Sequence, residues 1–376
     1  MARARLPFAE AAPMPGRVYA DDSIAELEAQ TLLRQLWVAV GRTDELNRPG
    51  QVTVRTVGGE SVLLCADAQG VLRAFYNVCR HRGTRLVEGS TDKRSIQATN
   101  LQCPYHAWTY GLDGRLVGAP LLKEVTRDPE RRCALGLLPV ASGSWNGFTF
   151  ACLDPQQSLE EQFADAPDVS RFLMDDLRTA ARVDYDVAVN WKLLCENYSE
   201  CYHCALVHPE LHRITHYQSG GEQEDGESFV GGPMRLNDGF NTMSVSGMTN
   251  RPSIPGLAEE DHAFVYYYVL YPNLWLSLHR DYVLVHLLEP LEAGRTRIEC
   301  FWLAHPDAIA APGFVIDDAV QFWDLTNRQD WAICERTQKG VGSTGYLPTL
   351  YQDGESCLHA FANWYLKAMD RALEGL

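Results

Sequence analysis

The chain has 376 residues, 46% of them hydrophobic, and sets 33 Lys and Arg against 49 Asp and Glu for a formal net charge of −16. That length and apolar content suffice for two buried cores, and the acidic balance argues against nucleic acid, whose affinity rests on neutralising phosphates with Lys and Arg. No run of 18 apolar residues marks a membrane span and MARARLPFAEAAPMPG lacks a secretory apolar region; eleven cysteines without a disulfide-like framework fit a reducing compartment, so a soluble, cytoplasmic protein is expected.

Residues 21–36, DDSIAELEAQTLLRQL, open on an Asp capping signal and keep apolar residues at helical spacing, which predicts a helix in an N-terminal segment, 1–36. From 37 to 153, short Val-rich and aromatic runs such as QVTVRTV, SVLLCA and NGFTFACL alternate with Gly and Asp turns, the pattern of a small all-β domain. Inside it, Cys79 and His81 precede Cys103 and His106, so that each of two short turns supplies one thiolate and one imidazole. Zinc fingers usually pair Cys with Cys and His with His along the chain; a 2Fe-2S cluster in which two histidines replace two cysteines on one iron suits two matching loops. Gly83 and Pro104 favour tight turns at these positions. The cluster is the preferred reading, with a zinc-stapled module as the alternative.

After the polar connection LDPQQSLEEQFADAPD, which begins at Leu153, residues 154–376 mix helical patterns with strands such as HAFVYYYVLYPNLWLSL, which predicts a second, α+β domain. The segment SGGEQEDGESFVGGP, 219–233, reads as an exposed loop. In NWKLLCENYSECYHCALVHPEL, residues 190–211, the i, i+4, i+7 spacing predicts Glu196, Glu200 and His203 on one helix face, and Pro209 favours leaving the helix near His208. Two histidines and one carboxylate on one face leave positions open for dioxygen and substrate at a non-haem iron. The carboxylate must come from elsewhere. In AVQFWDLTNRQDWAICERTQ, Trp323, Asn327, Asp330 and Cys334 share the more buried face, which makes Asp330 the candidate metal ligand and Asp324 the second choice, with Asp317 and Asp318 read as a helix cap. Cys201 and Cys204 bracket His203 as C-x-x-C; without a βαβ context they are expected to pack beneath the helix.

Both motifs resemble those of Rieske non-haem iron oxygenases, large (alpha) subunit. The first resemblance rests on Cys79-x-His81 and Cys103-x-x-His106 followed by AWTYGLDGRL, the second on Glu200, His203 and His208 with QDWAICERTQKG at Asp330. Most members place Asp where this chain has Glu200; Glu in ENYSECYHC looks like the branch that oxidises quaternary ammonium compounds such as glycine betaine, carnitine and stachydrine. The resemblance implies an α+β fold, with a small all-β Rieske 2Fe-2S domain at 37–153 and an antiparallel-sheet helix-grip (START-like) catalytic domain at 154–376. It implies a cluster on Cys79, His81, Cys103 and His106, mononuclear Fe(II) on His203, His208 and Asp330, and Glu200 and Asn197 as catalytic candidates. Glu200 would link His106 of one subunit to His203 of the next in a homotrimer fed by a separate reductase.

The implied reaction uses dioxygen to hydroxylate a small organic substrate, most simply an N-methyl carbon in oxidative N-demethylation. The alternatives are an aromatic-ring or natural-product hydroxylase of the same family and a Rieske electron carrier; the second His-His-carboxylate motif argues against the carrier. A permanent cation has no hydrogen-bonding group at nitrogen and must be held by aromatic faces. The aromatic candidates are Tyr202, Tyr266, Tyr268, Trp275, Trp323 and Tyr346, with strand alternation placing Tyr267 opposite Tyr266 and Tyr268.

Overall fold

The computed structural model describes residues 1–89, 95–122, 127–220 and 223–374, and the chain forms two compact units. One spans Leu33–Leu159; the other joins Met1–Leu32 to Glu160–Leu376. The N-terminal segment is therefore part of the larger unit. Its predicted helix, α1 (Asp22–Gln30), starts at Asp21, whose carboxylate accepts from Ser23 N at 3.0 Å. Glu28 on α1 is buried, and its carboxylate accepts from Lys192 Nζ (2.6 Å), Tyr365 Oη (2.5 Å) and Trp191 Nε1 (3.1 Å). A buried carboxylate with three donors ties the segment to two elements far along the chain.

The smaller unit is all-β. Strands β1 (Val38–Arg42), β2 (Gln51–Val57), β3 (Glu60–Ala66), β4 (Leu72–Tyr76), β5 (Ser95–Gln97), β9 (Pro139–Trp145) and β10 (Phe148–Cys152) form a sheet of order β1-β10-β9-β4-β3-β2-β5. Strands β6 (Asn100–Gln102), β7 (Thr109–Gly111) and β8 (Leu116–Gly118) make a separate three-stranded sheet. Val52, Leu63, Phe75, Leu101, Tyr110 and Leu116 pack from both sheets into one core that also contains Cys79 and Cys103. The β-branched and aromatic runs seen in the sequence thus close around the two candidate thiolates.

The larger unit is built on a seven-stranded antiparallel sheet, order β11-β17-β16-β15-β14-β13-β12. Its strands are β11 (Arg178–Val187), β12 (Glu224–Asp225), β13 (Phe229–Arg235), β14 (Phe264–Leu270), β15 (Leu274–Leu278), β16 (Val283–Glu292) and β17 (Arg295–Ala304). β12 and β13 correct the expectation of a loop over 219–233, of which 221 and 222 lie outside the described residues. FVGGP contains two glycines, which weaken a strand signal, yet the backbone of Gly231 pairs with Tyr268 so closely that any Cβ there would collide with the Tyr267 carbonyl. Helices α2 (Trp191–Tyr198), α3 (Cys204–Val207), α4 (Pro209–Ile214), α5 (Asp317–Val341) and α6 (Ser356–Glu374) complete the site-bearing part, with α2 packed against α5, α6 and β16. Asp317 and Asp318 lie inside the first turn of α5, whose cap is Ile316; Asp318 binds Arg251 Nη1 at 2.5 Å instead of capping.

Candidate functional site

In the smaller unit the two Cys-His turns have the same backbone plan. Cys79 N donates to Thr84 O (2.8 Å) and Cys79 O accepts from Gly83 N (3.0 Å); Cys103 N donates to Trp108 O (2.7 Å) and Cys103 O accepts from Ala107 N (3.1 Å). The fourth residue after each cysteine is left-handed, Gly83 at φ 75° and Ala107 at φ 57°. Both cysteines are buried, while His81 is exposed and its ring lies 4.6 Å from that of His106. Burial alone would raise the Cys103 thiol, but backbone donors at Tyr105 and His106 and its neighbour Cys79 hold it below its ordinary value. His106 Nδ1 is buried without a hydrogen-bond partner, as an atom reserved for a metal would be. Two inner sulfurs and two outer imidazoles fit a cluster whose irons differ in ligands.

In the larger unit, α2 ends at Tyr198, where Ser199 Oγ caps Cys195 O at 2.6 Å. Glu200 and His203 therefore do not share a helix face with Glu196. Glu196 turns away and accepts from Tyr19 Oη at 2.7 Å, and burial raises its carboxyl to about 7. Glu200 and His203 occupy the bend between α2 and α3, where Glu200 Oε2 accepts from His203 N (3.2 Å) and Oε1 from His203 Nδ1 (2.5 Å). The same bend brings the Cα atoms of Cys201 and Cys204 to 5.0 Å, and the two form a disulfide instead of packing as free thiols. His208 sits at the break before Pro209, with φ −124° and ψ 69°, the extended bias that proline imposes on its predecessor.

These bends converge on Asp330 from α5. His208 Nε2 lies 2.8 Å and His203 Nε2 3.3 Å from Asp330 Oδ1, and the two imidazole Nε2 atoms are 3.2 Å apart. Each ring's other nitrogen faces outward, His203 Nδ1 to Glu200 and His208 Nδ1 to Gln329 Oε1 at 2.7 Å, which leaves both Nε2 atoms to a metal. Burial would push the Asp330 carboxyl up, but His203 and His208 hold it below its ordinary value; burial likewise opposes charge on His203, whose bonds to Asp330 and Glu200 raise it to about 10. Two imidazoles and one carboxylate with open space beside them are a donor set for non-haem Fe(II). Asn197 Nδ2 stands 3.4 Å from His203 Nε2. Asp324 is engaged elsewhere, by Tyr185 Oη (2.7 Å) and Arg328 Nε (2.9 Å).

The triad borders a cavity of about 720 Å³ lined by Tyr198, Tyr202, Tyr217, Tyr267 and Trp323 among others. Strand alternation puts Tyr267 there and turns its neighbours to the other face, where Tyr266 Oη binds Asp261 and Tyr268 packs on Phe229. Trp275 is buried behind Tyr198, ring centroids 4.6 Å apart, and Tyr346 does not line the cavity. Of the aromatic residues expected in the cavity, Tyr202 and Trp323 are present; Tyr198, Tyr217, Tyr267 and the second partner Gln329 were missed. Tyr198 ends α2, just before Glu200 in the motif, and was legible by proximity alone.

Residues 174–371 match the family model described as ring hydroxylating alpha subunit (catalytic domain), and residues 36–129 match the Rieske [2Fe-2S] domain. The glycine betaine monooxygenase oxygenase subunit of Pseudomonas aeruginosa is 27% identical over 95% of this chain and 89% of its own. The carnitine monooxygenase oxygenase subunit of Escherichia coli K12 is 35% identical over 53% of each chain, and the chloroplastic choline monooxygenase of Amaranthus tricolor is 25% identical over 96% of this chain and 78% of its own. The fold is shared with the quaternary ammonium Rieske monooxygenase CntA bound to L-carnitine (TM-score 0.76, 22% identity, 98% of this chain and 97% of that one). It is shared equally with naphthalene 1,2-dioxygenase from a Rhodococcus bound to indole (TM-score 0.76, 18% identity, 95% and 94%).

Proposed function

The chain belongs to the ring hydroxylating alpha subunit family of Rieske oxygenases, and from that premise we propose that it oxidises an N-methyl carbon of a quaternary ammonium compound. Overall, N–CH₃, dioxygen, two electrons and two protons give N–CH₂OH and water, and the carbinol releases formaldehyde, the freed amine and a proton. Cys79, His81, Cys103 and His106 hold the cluster in this reading, and His203, His208 and Asp330 hold the iron, which when bound activates dioxygen with electrons supplied through the cluster. A separate reductase supplies those electrons.

The chain's own residues orient and select. Glu200 and Gln329 lock the imidazole tautomers so that both Nε2 atoms point inward. In a homotrimer Glu200 would also meet the partner subunit's His106 and pass the electron along hydrogen bonds. The observation that carries the substrate reading is the set of rings beside the triad: Tyr198, Tyr267 and Trp323 line the cavity, with centroids 6.2 Å apart between Tyr198 and Tyr267 and 6.3 Å between Tyr267 and Trp323. Aromatic faces attract a desolvated methylated ammonium by roughly 2 kcal/mol. Oxygen uptake with a competent reductase tests this across glycine betaine, carnitine, choline, stachydrine and simple aromatic acids. Formaldehyde coupled to oxygen uptake with an N-methylated cation is the expected result; a hydroxylated ring without formaldehyde assigns the enzyme to the aromatic hydroxylases instead.

A further inference from the structure

Nine of the eleven cysteines are free, and the other two, Cys201 and Cys204, are joined across Tyr202 and His203. The fold does not need that bond. A cross-link stabilises by restricting the unfolded chain and does so least across the shortest loops, and this one spans a sequence separation of 3. The same bend is already closed by backbone bonds, from Cys204 N to Cys201 O at 3.1 Å and from His208 N to Cys204 O at 2.9 Å, and by Glu200 Oε2, which accepts from His203 N. None of these bonds involves sulfur, so the bend persists when the sulfurs are reduced.

Both cysteines line the cavity beside the triad. Cys201 is half-buried, whereas Cys204 is only 4% exposed. A small reagent in the cavity therefore meets Cys201 first, with the Cys204 thiol behind it. Oxygenase chemistry supplies such a reagent: dioxygen that takes up two electrons and two protons without oxidising a substrate leaves as hydrogen peroxide. Peroxide carries a solitary cysteine through the sulfenic acid to sulfinic and sulfonic acids, which thiols do not reverse; a neighbouring thiol intercepts the first product as a disulfide. An acid on Cys201 or Cys204 would force a charged group into the bend that carries Glu200, His203 and His208. The disulfide does not disturb it, since with the bond in place His203 Nε2 and His208 Nε2 lie 3.3 Å and 2.8 Å from Asp330 Oδ1.

We propose that Cys201 and Cys204 are a reversible redox pair that consumes hydrogen peroxide in the cavity, so that oxidation of this wall stops at their disulfide with the iron ligands in place. The Cys201 thiol and hydrogen peroxide give the sulfenic acid and water, and the Cys204 thiol then displaces the hydroxyl to give the disulfide and a second water. The two sulfurs together lose two electrons and the peroxide oxygens gain them. A dithiol restores both thiols by exchange and leaves as its own cyclic disulfide. The pair acts whatever the organic substrate is, so its test does not depend on the quaternary-ammonium reading.

Holoenzyme reduced with dithiothreitol, and then freed of it, is treated with stoichiometric hydrogen peroxide, alkylated and mapped by peptide mass, with cluster absorption and iron content followed on the same samples. Cys201 and Cys204 are expected to lose alkylation together, to appear in one cross-linked peptide and to regain alkylation after dithiothreitol, while the iron stays bound. Cys133, exposed and free, is the internal comparison and is expected to gain oxygen atoms instead. In Cys204→Ser, Cys201 should likewise gain oxygen atoms that dithiothreitol does not remove. Thiols at 201 and 204 that stay open to alkylation while Cys133 is oxidised overturn the proposal. A disulfide from either residue to a different cysteine, a Cys201–Cys204 bond that dithiothreitol fails to open, or loss of iron as that bond forms overturns it too. Irreversible oxidation of Cys201 to the same extent in the parent and in Cys204→Ser removes Cys204 from the chemistry. The measurements on the parent decide the proposal even where the variant fails to fold.

Discussion

Gln329→Leu removes the acceptor that holds His208 while changing side-chain size little. His208 is 1% exposed and its Nδ1–H donates to Gln329 Oε1 at 2.7 Å. Leucine leaves that N–H buried and unpaired, a cost of about 1–3 kcal/mol. Because the bond fixes which nitrogen faces Asp330, the cost falls on the metal-binding state, and loss of such an outer partner weakens metal affinity about 10–100-fold. The two figures agree, since about 1.4 kcal/mol is a factor of ten. Anaerobic competition between the protein and an Fe(II) chelator measures the affinity, with the cluster's visible absorption as an internal check that the chain is intact. Gln329→Glu keeps an acceptor in place and is expected to bind iron nearly as well as the parent. Glu210 Oε2 is only 3.5 Å from Gln329 Nε2, at the limit of a hydrogen bond, so Glu210→Gln should have little effect. Iron affinity in Gln329→Leu equal to that of the parent refutes the reasoning.

Asp330→Ala is expected to lose the mononuclear iron and keep the cluster spectrum, whereas Asp324→Ala keeps both, because Asp324 is bound to Tyr185 and Arg328; metal analysis of the two variants checks this, and the opposite pattern moves the ligand to Asp324. Glu200→Gln should retain both metal centres but slow single-turnover oxidation of the reduced cluster in the presence of substrate, and an unchanged rate removes Glu200 from electron transfer. His81→Cys should shift the electron paramagnetic resonance of the reduced protein and lower its potential, because neutral imidazoles raise it relative to thiolates; a colourless parent protein holding zinc would refute the assignment. Glu196, raised to about 7 by burial, contributes stability that is full below its unfolded pKa near 4.5 and is lost as pH rises through 7. Glu196→Gln should therefore melt higher than the parent at pH 8, with the advantage shrinking toward pH 5, and a pH-independent difference counts against that carboxyl as the cause.

Read alone, the sequence determined the donor chemistry and the local geometry around it. Two Cys-His pairs at short spacing specify turns that carry one thiolate and one imidazole each, and the period of α5 put Asp330 on the buried face with Trp323, Asn327 and Cys334. Alternation in VYYYV separated Tyr267 from its neighbours for the same reason: a period constrains which residues share a face. Which face meets the cavity is a different matter. It depends on β14 pairing with β13 and β15, and on the close approach of Gly231 to the Tyr267 backbone, neither of which is local. The same limit explains Glu196, whose spacing matches Glu200 and His203 only while the helix continues; the chain leaves the helix after Tyr198, and Glu196 is drawn to Tyr19 in the N-terminal segment. Gln329 shows it most plainly. It lies next to Asp330 in sequence, on the adjacent helix position, and reaches the site only because His208, 121 residues earlier, turns its second nitrogen toward it. Periodicity is set by backbone geometry within a few residues, whereas a partner across the fold is set by burial and sheet register, which only the folded chain possesses.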